Sequence, residues 1–279
     1  MIWLVGTASP VGREIIRLAD HYRIPICSGP ESLLNIEGLR AYGFKKRPDW
    51  IINCIDSDDN SHAETKEELA YAVNAHGARN LAVVASELDV PLIHLSTDRV
   101  FSGVWDERVD EDTPANPLSI FGSSKLAGEK AVQSVTDKCY ILRVADLYGE
   151  CGAGPVDSLL RRVLTLSTLD LPADQFVSPS WARDAANWIL TIIQGNHHAY
   201  GLYHCAAAGT VSFYGLGVLM AQFAEIAGLL AQRPQFRGFE SKNGNARKAV
   251  LDTKKFINNF GGGFPAWEHS LNRYIRTLQ

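Results

Sequence analysis

The sequence predicts an α/β protein: a Rossmann-like, doubly wound parallel sheet followed by a smaller, mostly helical C-terminal substrate lobe. Three observations lead there. Short apolar runs alternate with longer stretches of helical periodicity through the first half of the chain. The first run breaks into a turn that begins and ends in glycine, and the alternation weakens after Gly149. Parallel neighbours need a crossover connection, so strand-helix-strand alternation means a parallel sheet, with ligands at the carboxyl ends of its strands.

Residues 1–5 (Met-Ile-Trp-Leu-Val) read as a buried strand, and 11–21 place Val11, Ile15, Ile16 and Leu18 at helical spacing. A second strand, 24–27, ends at the turn signal Ser28-Gly29-Pro30. Residues 49–53 form a third strand, 64–88 a long helix with Leu69, Val73, Leu81 and Val84 among its apolar positions, and 92–96 a fourth strand. A helix over 117–135 and a strand over 139–143 complete the alternation. Beyond the glycine-rich stretch 149–155, helices are expected over 157–166, 180–194 and 213–231, with polar punctuation at 238–245 and 261–265. This divides the chain into a Rossmann-like dinucleotide-binding domain, 1–150, and a smaller lobe, 151–279, segments of which could return to the first.

With 46% hydrophobic residues in 279, the chain can bury one large core, or one domain with a lobe packed on it. A net charge of -4 and no basic run longer than Lys45-Lys46-Arg47 leave no electrostatic footprint for nucleic acid or an anionic membrane. A small molecule or another protein is the expected partner. The five cysteines are odd in number, scattered and without a C-x-x-C pair, which argues against disulfides and zinc and for a reducing, cytoplasmic setting. No stretch reaches about 18 apolar residues, so no membrane span is expected. His94 and His204 read as structural, and His197-His198 lacks the i, i+4 spacing and acidic companions of a metal site.

The first turn, Gly6-Thr-Ala-Ser9-Pro-Val11-Gly12, has glycine at the first and last positions of a G-x-x-G-x-x-G pattern but serine in the middle. The first glycine permits the tight turn and the last lets the helix close on the strand. Ser9 and Pro10 also make a good helix start, in which the serine hydroxyl takes amides that a phosphate would otherwise engage. Dinucleotide binding and a fold-only role both stay open here. Cys27-Ser28-Gly29-Pro30 offers neither the acid that would select NAD nor an arginine for NADP, and Asp56 after the third strand, read as a solvated loop acid, would repel a diphosphate.

Ser96-Thr-Asp-Arg-Val-Phe101, followed by Pro117-Leu-Ser-Ile-Phe-Gly-Ser-Ser-Lys-Leu-Ala-Gly-Glu129, resembles the dTDP-4-dehydrorhamnose reductases, of the extended short-chain dehydrogenase/reductase superfamily. Their signature runs S-T-D-x-V-F, then Y-G-x-[ST]-K-L-x-G-E. The likeness continues through Tyr71-Ala-Val-Asn74, Leu142-Arg143, Asp174-Gln175, Gly201-Leu-Tyr-His204 and Phe264-Pro-Ala-Trp-Glu268, covering essentially the whole chain.

The resemblance implies a catalytic threonine at Thr97 and lysine at Lys125, with Phe121 standing where the family keeps its acid tyrosine. It implies NADP or NAD as cofactor, against Gly6, Ser9, Val11 and Gly12 of the turn and Asn53, Cys54, Asn74, Ser96 and Lys125 around it. It implies a nucleotide sugar or related molecule against Asp98, Val100, Phe101, Arg143, Gln175 and Trp181, with no metal. A second copy or a partner enzyme is also compatible. Phenylalanine has no proton to give, and general acid catalysis contributes about 100- to 10,000-fold. Together with Ser9 and Asp56, this points to a nucleotide or nucleotide-sugar binder with weakened cofactor affinity and hydride transfer weak or lost. The alternative is an active 4-keto nucleotide-sugar reductase with a substitute acid.

Overall fold

The computed structural model describes residues 1–30, 32–55, 64–102, 108–195, 199–241 and 250–279. Asp56 and the pair His197-His198 lie outside them.

Strand β1 (Ile2–Val5) is buried along its length and leads through Gly6 into α1 (Pro10–Tyr22). The helix starts where the sequence places it, with Ser9 as N-cap and Pro10 in the first turn. Then follow β2 (Ile26–Cys27), α2 (Ile36–Lys46) and β3 (Trp50–Asn53). The expected single helix 64–88 is instead built from a short α-helical turn, Glu67–Tyr71, a π-helical segment, Ala72–Gly77, and α3 (Ala78–Leu88). Next come β4 (Leu92–Thr97), α4 (Ile120–Gln133) and β5 (Cys139–Val144). The second half contributes α5 (Pro155–Thr165), α6 (Ala182–Gln194), β6 (Gly201–Cys205), α7 (Phe213–Ile226), α8 (Lys254–Phe260) and α9 (Trp267–Arg276).

The central sheet runs β6-β5-β4-β3-β1-β2, all parallel, with Leu4 opposite Ile52, Leu95 opposite Leu142 and His204 opposite Arg143. Its sixth strand comes from the second half of the chain. Alternate side chains of β1 serve opposite faces. Ile2 and Leu4 join a core that continues through Trp181 and Trp188 to Trp267 and Leu271, so both halves share it. Trp3 and Val5 join a second core under α2 and α3 with Leu39, Leu81 and Ile141. The chain reverses direction across the sheet between β1 and β3, a switch point where doubly wound sheets open a ligand crevice.

Among the described residues no helix is long and apolar enough to cross a membrane, and no group of three or more His, Cys, Asp or Glu is arranged to hold a metal ion. All five cysteines are free, and all but Cys151 are buried.

Candidate functional site

A cleft of about 510 Å³ opens at the carboxyl ends of β1, β3, β4 and β5. Its floor is the first turn. Gly6 has φ 86°, and a Cβ there would stand 2.6 Å from the Cys54 backbone, while one on Gly12 would stand 2.1 Å from the Gly6 carbonyl. Both positions therefore demand glycine on packing grounds alone. The Ser9 hydroxyl donates to the Gly6 carbonyl at 2.8 Å and accepts the Gly12 N–H at 3.0 Å. It is thus folded inward, occupying one of the helix amides. Ser9, Val11 and Cys54 border the cleft, with burial pushing the Cys54 thiol well up. Asn53 lies below it, with its carbonyl oxygen on the Ile55 N–H at 3.1 Å and its amide 3.1 Å from His94 Nδ1. Burial first, and the charge of Lys125 second, hold His94 neutral.

The far side is built by β4 and α4. Ser96, Thr97, Asp98, Phe121 and Lys125 all border the cleft. Thr97 caps the 3-10 turn Asp98–Val100, its hydroxyl accepting the Arg99 N–H at 3.2 Å and lying 3.3 Å from an Asp98 carboxylate oxygen. Four residues apart on α4, Phe121 and Lys125 share a face. Lys125 is 2% exposed and its Nζ donates to the Leu95 carbonyl at 2.8 Å. Behind Phe121, the Ser124 hydroxyl donates to the Phe121 carbonyl and accepts from Asn74 Nδ2, each at 2.9 Å. Ser124 is fully buried and faces away from the cleft lining. Asn74 reaches it from the π-helical segment, a geometry that recurs at functional sites.

Five residues expected at the substrate end do not border the cleft. Arg143 is buried in a two-pronged pair with Glu129, at 2.9 and 2.8 Å, and its guanidinium lies 5.0 Å over the Phe101 ring. It neutralises an internal carboxylate rather than a diphosphate. Val100 and Phe101 are enclosed in a small apolar cluster with Val109, Ala145 and Leu251. Gln175 bonds Ser241 at 3.0 Å, and Trp181 is a core ring beside Tyr274 with Arg183 over its face. In their place the cleft takes Arg99, Asp146 and the 151–155 loop with Asp157 and Ser158. The readable signal for that loop was its position: glycine-rich, just beyond the carboxyl end of a sheet strand.

The RmlD substrate binding domain family matches residues 1–279. A dTDP-4-dehydrorhamnose reductase of Salmonella typhimurium is 31% identical, over 99% of this chain and 93% of that protein. A dTDP-4-keto-6-deoxy-D-glucose reductase of Streptomyces niveus is 34% identical, over 77% of this chain and 75% of its own length. The crystal structure of a dTDP-4-dehydrorhamnose reductase from Bacillus anthracis in complex with NADP superposes with a TM-score of 0.90 at 26% identity, covering 100% of this chain and 99% of that one.

Proposed function

The chain belongs to the RmlD substrate binding domain family, and from that premise we propose that its cleft binds NAD(P) and a nucleotide sugar, with reduction of a 4-keto group weakened by the residue at position 121. The observation that carries this reading is the Phe121 ring bordering the cleft beside Thr97 and Lys125. The relatives' names supply the substrate class, and the Bacillus anthracis complex supports the cofactor.

The residues present fit a dinucleotide. Gly6 and Gly12 give the close turn, the Ser9 hydroxyl is engaged within the turn by the Gly6 carbonyl and the Gly12 N–H, and neutral Cys54 and Ile55 follow β3. The cofactor, when bound, supplies the hydride. Lys125 would hold its ribose and Thr97 would orient the sugar carbonyl. With one amide of α1 already taken by Ser9, fewer donors remain for the pyrophosphate, which supports weakened affinity. The missing chemistry is protonation of the alkoxide, which the hydrocarbon ring of Phe121 does not perform.

The test is Phe121→Tyr, assayed with NADPH and NADH on a dTDP-4-keto-6-deoxyhexose. A rise in turnover of about 100-fold or more is expected, the range that general acid catalysis contributes. Equal activity in both forms would show that another group already donates the proton. No activity in either would mean that more than one hydroxyl is missing.

A further inference from the structure

The segment between the short strand Leu147–Tyr148 and α5 forms a wall of the cleft, with Gly152, Ala153 and Gly154 bordering it together with Ser9 and Pro10 of the first turn. Its composition does not specify its shape. Gly149, Gly152 and Gly154 are permissive, and Cys151 stands at φ 61°, a left-handed conformation strained for a non-glycine residue. The shape is imposed by two side chains one turn apart on α5. Asp157 Oδ1 accepts the Gly149 N–H at 3.0 Å, and Arg161 donates to the Gly152 carbonyl at 3.0 Å. Gly152 sits so close that a Cβ would come within 2.2 Å of Asp157 Oδ2. On the other side Glu150 pairs with Arg17 of α1, which ties the loop across the first turn.

Asp157 is 5% exposed, with the Gly149 N–H on one carboxylate oxygen and the Gly154 backbone close to the group. Burial pushes this carboxyl up to about 6, against the lowering pull of the Gly149 N–H and of Arg161. Tyr148 beneath the loop, Glu150 and Cys151 within it, Tyr274 and Arg273 of α9 and Asp184 of α6 are the other titratable and charged groups gathered at this corner.

We propose that Asp157 is a positioning residue for the cleft: with Arg161 it latches the 149–154 loop in place as a ligand-facing wall, the latch holds more firmly once Asp157 takes up its proton, and its release weakens retention of the ligand. The loop part stands on its own geometry. The ligand part rests on the reading above.

The two are separated by measuring both. Amide hydrogen exchange of the unliganded protein, corrected for intrinsic rates, is expected to show the Gly149 and Gly152 amides protected at pH 7.5 and about 10-fold more so at pH 5, the scale set by a carboxyl raised to about 6 in the latched loop and titrating normally in the open one. Asp157→Asn, which carries no charge, should show the high protection at both pH values. Arg161→Gln, on an exposed side chain, removes the nearby cation and should move the wild-type transition to higher pH. Protection that is independent of pH in the wild type and unaltered by either variant would overturn the latch. NADP⁺ titration is expected to show wild-type affinity rising relative to that of Asp157→Asn from pH 7.5 to 5. Parallel pH profiles, with the exchange change present, would overturn the link to ligand retention. No NADP⁺ binding at either pH would count against the cofactor reading alone, leaving the latch to be decided by exchange.

Discussion

Glu129 of α4 and Arg143 of β5 hold each other through two parallel hydrogen bonds, at 2.9 and 2.8 Å, both side chains about 95% enclosed, with the Ser96 hydroxyl donating to the same carboxylate. The pair fastens the helix that carries Phe121 and Lys125 to the strand ends below it. Glu129→Gln keeps the shape but leaves a buried guanidinium without its counter-charge, and removal of one partner of such a pair costs about 3–5 kcal/mol. Urea denaturation should show that loss as a lower midpoint at unchanged slope. Adding Arg143→Met should restore part of it, because both charges are then gone. A double variant less stable than the single one would show that the guanidinium contributes through its packing on Phe101 rather than through charge.

Ser9 gives the second expectation. Its hydroxyl caps α1 while occupying the Gly12 N–H, so the residue stabilises the helix and competes with a phosphate. Replacing a serine N-cap by glycine costs only a few tenths of a kcal/mol. Ser9→Gly should therefore lower stability slightly while tightening NADP⁺ binding several-fold, measured by calorimetric titration. Unchanged or weaker binding would mean that the pyrophosphate does not use this helix end.

The parts of the fold legible in the sequence were those set by local chemistry. Ser9 and Pro10 start α1 as the cap rule requires, and the buried runs at 49–53, 92–96 and 139–143 became neighbouring parallel strands. α2 was not legible, since among its eleven residues only Leu39 and Gly43 are buried and no apolar stripe marks it. The π-helical segment, whose Asn74 bonds Ser124 of α4, was hidden as well, because nothing in the apolar periodicity marks its i→i+5 bonding. The site divides the same way. Thr97, Phe121 and Lys125 came from the family resemblance, Phe121 and Lys125 a helical turn apart, and the structure brings all three to one cleft. Arg143 was misplaced because a strand-end arginine looks free until its partner, on the preceding helix, is seen. Asp157 stood only at the start of an expected helix, and its contacts with the glycine loop belong to the tertiary fold.

His204 makes stability fall toward acid pH. The ring lies in β6 with Nδ1 3.1 Å from the Val109 carbonyl and Nε2 3.5 Å from the Arg143 guanidinium. Burial first and the Arg143 charge second push it down to about 3, while an unfolded histidine titrates near 6.5. Below about pH 6.5 the unfolded chain takes up a proton that the folded one refuses, so the contribution of His204 to stability is complete above that pH and is lost as pH falls toward 3. Asp157 works in the opposite direction over part of the same range: its raised carboxyl favours the folded state on acidification through about 6. Total stability therefore mixes opposing slopes, and the clean measurement is a difference between variants. His204→Asn keeps a donor for the Val109 carbonyl and removes the titration. From pH 7 to pH 4, at about 1.4 kcal/mol per unit, its stability relative to the wild type should rise by on the order of 3 kcal/mol. Denaturant midpoints at the two pH values test this. A difference that stays constant would show that the His204 ring accepts a proton in the folded protein, which would require Arg143 to swing away from it.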